Sequence, residues 1–183
     1  MHRSSDTIYE EWLVLKCQDG DRGALEELVV RWQPRLTRHA MRLTGRPEAA
    51  HDVMQEAWLA IVRGIGRLKD PSGFRAWSYR IVGNKCADWI RQRVRHRGLE
   101  HGLAMMAPNH EPTHDEERDE TSILHEALDQ LPLDHRVVLS MHYLDEMCVA
   151  EISRSLGVPA GTIKSRLHHA RNRLKQALER MKQ

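Results

Sequence analysis

The sequence predicts an all-α protein of two helical domains, and three observations predict it. Strand-like alternation of apolar and polar residues is nearly absent, apolar residues recur instead at helical spacing, and a polar, acidic stretch near the middle separates two such patterned regions. With 183 residues of which 40% are apolar, the chain can bury a core and is too apolar for wholesale disorder. The expected division is a helical domain over 1–98, a flexible linker over 99–121 and a second helical domain over 122–183.

The first clear stripe is Leu25, Leu28, Val29, Trp32, Leu36, Ala40 and Leu43, opened by the turn Asp19-Gly20-Asp21 and stopped at Thr44-Gly45. Pro34 lies inside it and predicts a kink, since proline removes one backbone donor and crowds the preceding turn. After Arg46-Pro47 a second helix buries Ala50, Val53, Met54, Ala57, Trp58, Ile61 and Ile65, which leaves Asp52, Gln55, Glu56 and Arg63 on other faces. The run RGIGRLKDPSG, from Arg63 to Gly73, reads as a fraying helix end followed by a basic loop. A third helix begins near Phe74, with Phe74, Trp77, Ile81 and Trp89 as its core and Arg75, Arg80, Asn84, Lys85 and Arg91 on other faces. Beyond the acidic cluster Asp115, Glu116, Glu117, Asp119 and Glu120, the residues Ile123, Leu124, Ala127, Leu128 and Leu131 restart the helical pattern, and Pro132 opens the next helix. The last stripe is Ile163, Leu167, Ala170, Leu174 and Leu178.

A formal net charge of +2 conceals three blocks. Residues 1–98 hold 18 basic against 12 acidic side chains, 99–127 hold 1 against 8, and 128–183 hold 9 against 6. Two basic regions flanking an acidic one suit a protein that meets a polyanion at two places. Trp12, Trp32, Trp58, Trp77 and Trp89 all fall in the first block, so stacking on bases must come mainly from there.

The most specific local text is CVAEISRSLGVPAGTIKSRLHHARNRL, from Cys148 to Leu174. It predicts a helix-turn-helix: Val149, Ile152 and Leu156 bury the first helix, Gly157 makes the tight turn, and Pro159 suits the start of the second helix. That second helix then presents Thr162, Lys164, Ser165, Arg166, His168, His169 and Arg171, where a recognition helix meets base edges and phosphates. The bland reading is a helical hairpin with a solvated basic face. The coincidence of turn, proline and basic face weighs against it.

At these residues GVPAGTIKSRLHHAR resembles the −35 reading helix of the extracytoplasmic-function class of bacterial sigma factors. In the N-terminal domain, DRGALEELVVRWQPRLTRHAMRLTG, AAHDVMQEAWLAIVRGI and FRAWSYRIVGNKCADWIRQR resemble successive helices of the sigma domain that holds RNA polymerase and the −10 element. The resemblance covers about residues 8–98 and 122–180. It implies an alternative sigma factor that binds core RNA polymerase and helps melt the −10 region. Asp52, Gln55 and Glu56 match the motif that docks on the β′ clamp helices, and the β flap is the second expected polymerase contact. Lys69, Asp70 and Ser72 in the loop, with Tyr79, Arg80 and Asn84 on the following helix, are the expected −10 contacts. Promoter DNA and an anti-sigma factor are the other implied partners. The family pattern is broken at Cys148, where Ser or Thr often caps the helix, at His169, where Arg is usual, and at Ala150, where an acidic residue is frequent.

No enzymatic motif is present: there is no nucleophile–base pair, Gly-rich phosphate loop or paired-carboxylate motif, and no cofactor is expected. His110 and His114 have metal-ligand spacing, but Pro112 between them opposes the helix that would converge them. Cys17, Cys86 and Cys148 are odd in number and far apart, which argues against a disulfide scaffold. With no apolar run near the ~20 residues needed to span a bilayer, the protein is expected in the cytoplasm without membrane insertion. The alternatives are a self-contained helix-turn-helix regulator and a His/Asp metal enzyme.

Overall fold

In the computed structural model residues 5–100 and 120–181 are described, and all the regular structure among them is helical. The order is α1 (Ser5–Gln18), α2 (Arg22–Thr44), α3 (Pro47–Gly64), 3-10 turns at Ile65–Arg67 and Pro71–Gly73, and α4 (Phe74–Glu100). It continues with α5 (Glu120–Asp129), α6 (Leu133–Leu139), a π-helical turn at Ser140–Leu144, α7 (Val149–Leu156) and α8 (Ala160–Met181). Two compact units divide within α4, after Arg93. Of the stretch expected as linker, Leu99 and Glu100 extend α4 and Glu120 and Thr121 open α5, while residues 101–119 lie outside the described residues, as do His110 and His114.

Unit 1 is organised around α2, which packs against α1, α3 and α4. Asp21 caps α2 by accepting the Ala24 N–H at 3.1 Å, and Gly45, at φ 67°, ends it with its own N–H on the Met41 carbonyl. Leu28, Trp32, Leu36, Ala40 and Leu43 are buried, as the periodicity predicts. The helix is not broken at Pro34, where one backbone bond is lost. The carbonyl deprived of Pro34's N–H belongs to Val30, which is 73% exposed, so water can serve it. On α3 the buried set is Ala49, Ala50, Val53, Met54, Ala57 and Ile61, with Trp58 half-buried and its indole N–H donated to Gln33.

Two elements depart from the expectations. Helix α1 was not anticipated, because only Leu13 and Val14 are buried while Ile8, Tyr9, Trp12 and Leu15 face outward. On α4 the core face is Phe74, Ala76, Tyr79, Val82 and Cys86, whereas the expected Trp77, Ile81 and Trp89 are only half-buried. Phe74 meets Trp32 edge-on at 5.4 Å, and Tyr79 meets the buried His39 at 4.8 Å. Trp89 instead lies beneath the Arg93 guanidinium at 5.2 Å.

Trp77 packs over the end of α3. A Cβ added at Gly64 would come within 2.9 Å of its Cζ2 atom, closer than real Cβ contacts allow. Gly64→Ala is therefore expected to destabilise unit 1 by about 1–3 kcal/mol, the usual cost of overpacking. Urea unfolding checks it, and unchanged stability would show that Trp77 has room to move.

In unit 2, α8 packs on α5, α6 and α7, and Val138, Leu139, Met141, Met147, Ile152, Ile163, Leu167 and Ala170 are buried between them. Leu124 departs from the expected stripe and is 39% exposed. Gly157, at φ 69°, closes α7 in the left-handed region and returns the chain toward α8. Cys148 stands at the start of α7, and its backbone N–H donates to Glu151 Oε2 at 2.8 Å, so the acidic partner supplies one half of a capping box.

Candidate functional site

Three groups of side chains carry the chemistry singled out in the sequence. The first is the outer face of α3. Its inner residues are anchored in the core, so Asp52, Gln55 and Glu56 project into solvent. Leu59 and Val62 continue that face at helical spacing and are 55% and 45% exposed, giving an acidic end and an apolar end. Gln55 Nε2 lies 3.4 Å from His51 Nδ1, and Lys85 of α4 donates to Glu56 Oε2 at 2.8 Å. Sequence reasoning missed Leu59, Val62 and the Lys85 pair. The 52, 55, 59, 62 spacing held the signal for the first two, whereas the pair depends on how α4 packs.

The second group surrounds the connection from α3 to α4. Lys69 and Asp70 are exposed and Ser72 is half-buried. Asp70 Oδ1 accepts from the Ser72 backbone N–H at 3.0 Å and from the Ser72 hydroxyl at 2.7 Å, so the Asp70 carboxylate builds the turn. Gln18, at the end of α1, donates through Nε2 to the Ile65 carbonyl at 2.9 Å and to the Leu68 carbonyl at 2.7 Å. On α4, Arg80 and Asn84 are exposed one turn apart. Tyr79 corrects the expectation: it is 2% exposed, with its ring against His39, so it belongs to the core and cannot present a face to DNA in this conformation.

The third group lies on α8. Ile163, Leu167 and Ala170 are buried, which turns Lys164, Ser165, His168, His169 and Arg171 outward. Thr162 is half-buried, and its carbonyl accepts the Ser165 hydroxyl at 3.0 Å. Arg166 is also half-buried and lies 3.4 Å from Asp134 Oδ2, so part of its charge is spent within the unit. His168 Nε2 is 3.2 Å from Asn172 Nδ2. Beside α8, burial and then the Arg173 cation push the His135 imidazole below its ordinary pKa, so the neutral form is favoured among neighbouring cations.

Among the described residues no three His, Cys, Asp or Glu side chains are grouped so as to hold a metal ion. Burial pushes the Cys86 thiol up to about 12, which suits a core residue rather than a reactive one. No described helix is long and apolar enough to cross a membrane.

Comparison with known proteins fits this arrangement. The family model for Sigma-70 region 2 matches residues 28–96, and that for Sigma-70, region 4 matches residues 121–174. Fold and site together define a sigma-70-type transcription initiation factor. The chain is 35% identical over 161 residues to the ECF RNA polymerase sigma factor SigM of Mycobacterium tuberculosis, covering 87% of this chain and 79% of that one. It is 29% identical over 181 residues to the RNA polymerase sigma-H factor of Pseudomonas aeruginosa, covering 93% and 94%. The fold is similar to that of the sigma factor RpoE of Bartonella quintana, solved with the anti-sigma factor NepR, at a TM-score of 0.71 and 22% identity over 85% of this chain and 96% of that one. The chain belongs to the extracytoplasmic-function family of RNA polymerase sigma factors, alternative sigma factors that direct promoter-specific initiation.

Proposed function

We propose that residues 1–98 dock on core RNA polymerase and capture the −10 element, that 122–183 read the −35 element, and that 99–121 link the two. The observation that carries this reading is the two-sidedness of α3 and α8. Each has one face committed to a core, which frees Asp52, Gln55 and Glu56 on α3, and Lys164, Ser165, His168, His169 and Arg171 on α8. The α3 face is acidic at one end and apolar at the other, which suits the β′ clamp helices if they offer basic and apolar side chains in the same order. The β flap is the proposed polymerase contact of the second domain.

Extruding a base from duplex DNA costs a few kcal/mol, so the capturing surface must return edge hydrogen bonds, stacking and phosphate contacts. With Tyr79 in the core, the groups available beside the loop are Lys69, Ser72, Arg80 and Asn84. Arg80 offers a planar cation that can stack or bind phosphate, Asn84 offers hydrogen bonds to base edges, the Ser72 hydroxyl oxygen, whose proton goes to Asp70, offers an acceptor, and Lys69 offers a phosphate contact. On α8, Lys164, Ser165, His168 and His169 form the base-facing set, Arg171 supplies a further cation, and Thr162 and Arg166 lie at its edge.

The protein performs no bond chemistry of its own in this reading, and phosphodiester synthesis belongs to the polymerase. It works in the cytoplasm, where polymerase and chromosome are. Two structural relatives are described in complexes, RpoE with NepR and CnrH with the cytosolic domain of CnrY, and an anti-sigma factor is proposed for this chain by analogy. Reconstitution tests the whole. The full chain added to core polymerase and a genomic promoter library should yield transcripts from a defined subset of promoters sharing −35 and −10 elements. A folded chain that binds DNA without joining polymerase would point instead to a self-contained regulator.

A further inference from the structure

We propose that Gln18 is the positioning residue of the base-capturing loop, acting from a helix that lies outside the stretch matched by the region 2 family model. The inference rests on the reading that Lys69 and Ser72 meet the −10 element. Gly64 ends α3, and Gly66 and Gly73 lie in the connection to α4, so the backbone there has wide freedom unless something fixes it. Three devices do so. Trp77 covers Gly64, and the Asp70–Ser72 turn closes the far end, where the Gly73 N–H reaches the Asp70 carbonyl at 2.9 Å.

The third device is Gln18, whose carboxamide nitrogen carries two protons and spends them on the Ile65 and Leu68 carbonyls. Those carbonyls bracket the 3-10 turn, and Leu68 immediately precedes Lys69. The clamp is long-range: 47 and 50 residues separate donor and acceptors. The place of Lys69 is thus set by α1, and a base entering beside it meets a loop already held in position, which lowers the ordering cost of capture.

Two replacements separate donation from packing: Gln18→Met keeps the length and loses the donors, and Gln18→Glu places a carboxylate against two carbonyl oxygens. Amide hydrogen exchange in the full chain should quicken about tenfold at Leu68 and Gly73 in both variants. In holoenzyme, discrimination between a −10 single strand and one substituted at the captured base should fall about tenfold. Affinity for core polymerase and for a −35 duplex should not change. Wild-type exchange rates in Gln18→Met would overturn the clamp, and faster exchange with unchanged discrimination would overturn its positioning role. Equal losses on core polymerase and the −35 duplex would overturn it too, by showing a general structural defect. A Lys69→Ala, Ser72→Ala control in the same assay judges the loop itself. If that control binds the −10 strand normally, the functional reading of the loop fails while exchange still decides the clamp.

Discussion

Replacing Asp52 and Glu56 together by lysine is expected to weaken assembly with core RNA polymerase by about a hundredfold or more. The physical reason is the sign reversal of a compact patch: two attractive contacts become two repulsive ones, and like charges juxtaposed in an interface cost several kcal/mol. The fold should survive. Both side chains are exposed, and the substitution breaks the ion pair of Glu56 with Lys85, whose partners are 65% and 33% exposed and so contribute little to stability. Thermal unfolding of the variant should match the parent within the small range usual for surface changes. A folded double variant with unchanged affinity for core polymerase would remove α3 from the docking surface.

Lys164→Ala should have the next largest effect, on binding of an isolated −35 duplex. Lys164 points away from the buried Ile163 and Leu167, so its truncation removes a cation without disturbing the core. If the ammonium reads a base edge, the loss is about 1–3 kcal/mol and relaxes preference at one position. If it neutralises a phosphate, the loss is uniform across sequences and the salt slope becomes shallower by about one unit. Titrations at several salt concentrations against consensus and substituted duplexes distinguish these outcomes. Unchanged affinity and slope would place Lys164 outside the interface. Arg166→Ala should do less to DNA binding, because that guanidinium already faces Asp134.

What could be read in advance depended on how fully each helix commits one face to a core. Helices α2, α3 and α8 do so at regular spacing, and their stripes were legible, as were their outward polar residues apart from the half-buried Thr162 and Arg166, whereas the outward apolar Leu59 and Val62 were missed. The turn before α8 was legible because Gly157 and Pro159 have restricted backbone roles. Helix α1 was not, since most of its large apolar residues face solvent. On α4, aromatic residues at 74, 77, 79 and 89 offer more than one possible stripe, and the choice is made by contacts from α2: Trp32 takes Phe74 and His39 takes Tyr79. The same long-range packing hid Gln18 and Lys85, whose partners lie dozens of residues away.

The confinement of all five tryptophans to the first unit makes the molecule optically asymmetric. Its indole emission reports on unit 1 alone, and unit 2 is silent apart from weak tyrosine signal. Within unit 1 the indoles sample distinct settings: Trp32 is 2% exposed, Trp12 is 45% exposed, Trp58 lies on the helix that carries Asp52 and Glu56, and Trp77 and Trp89 lie on the helix that carries Arg80 and Asn84. A ligand that engages α3 or α4 is therefore expected to change the emission directly, whereas α8 carries no indole through which a −35 duplex could do so. On the proposed division of labour, the unlabelled protein thus carries its own means of telling which of the two binding events has taken place.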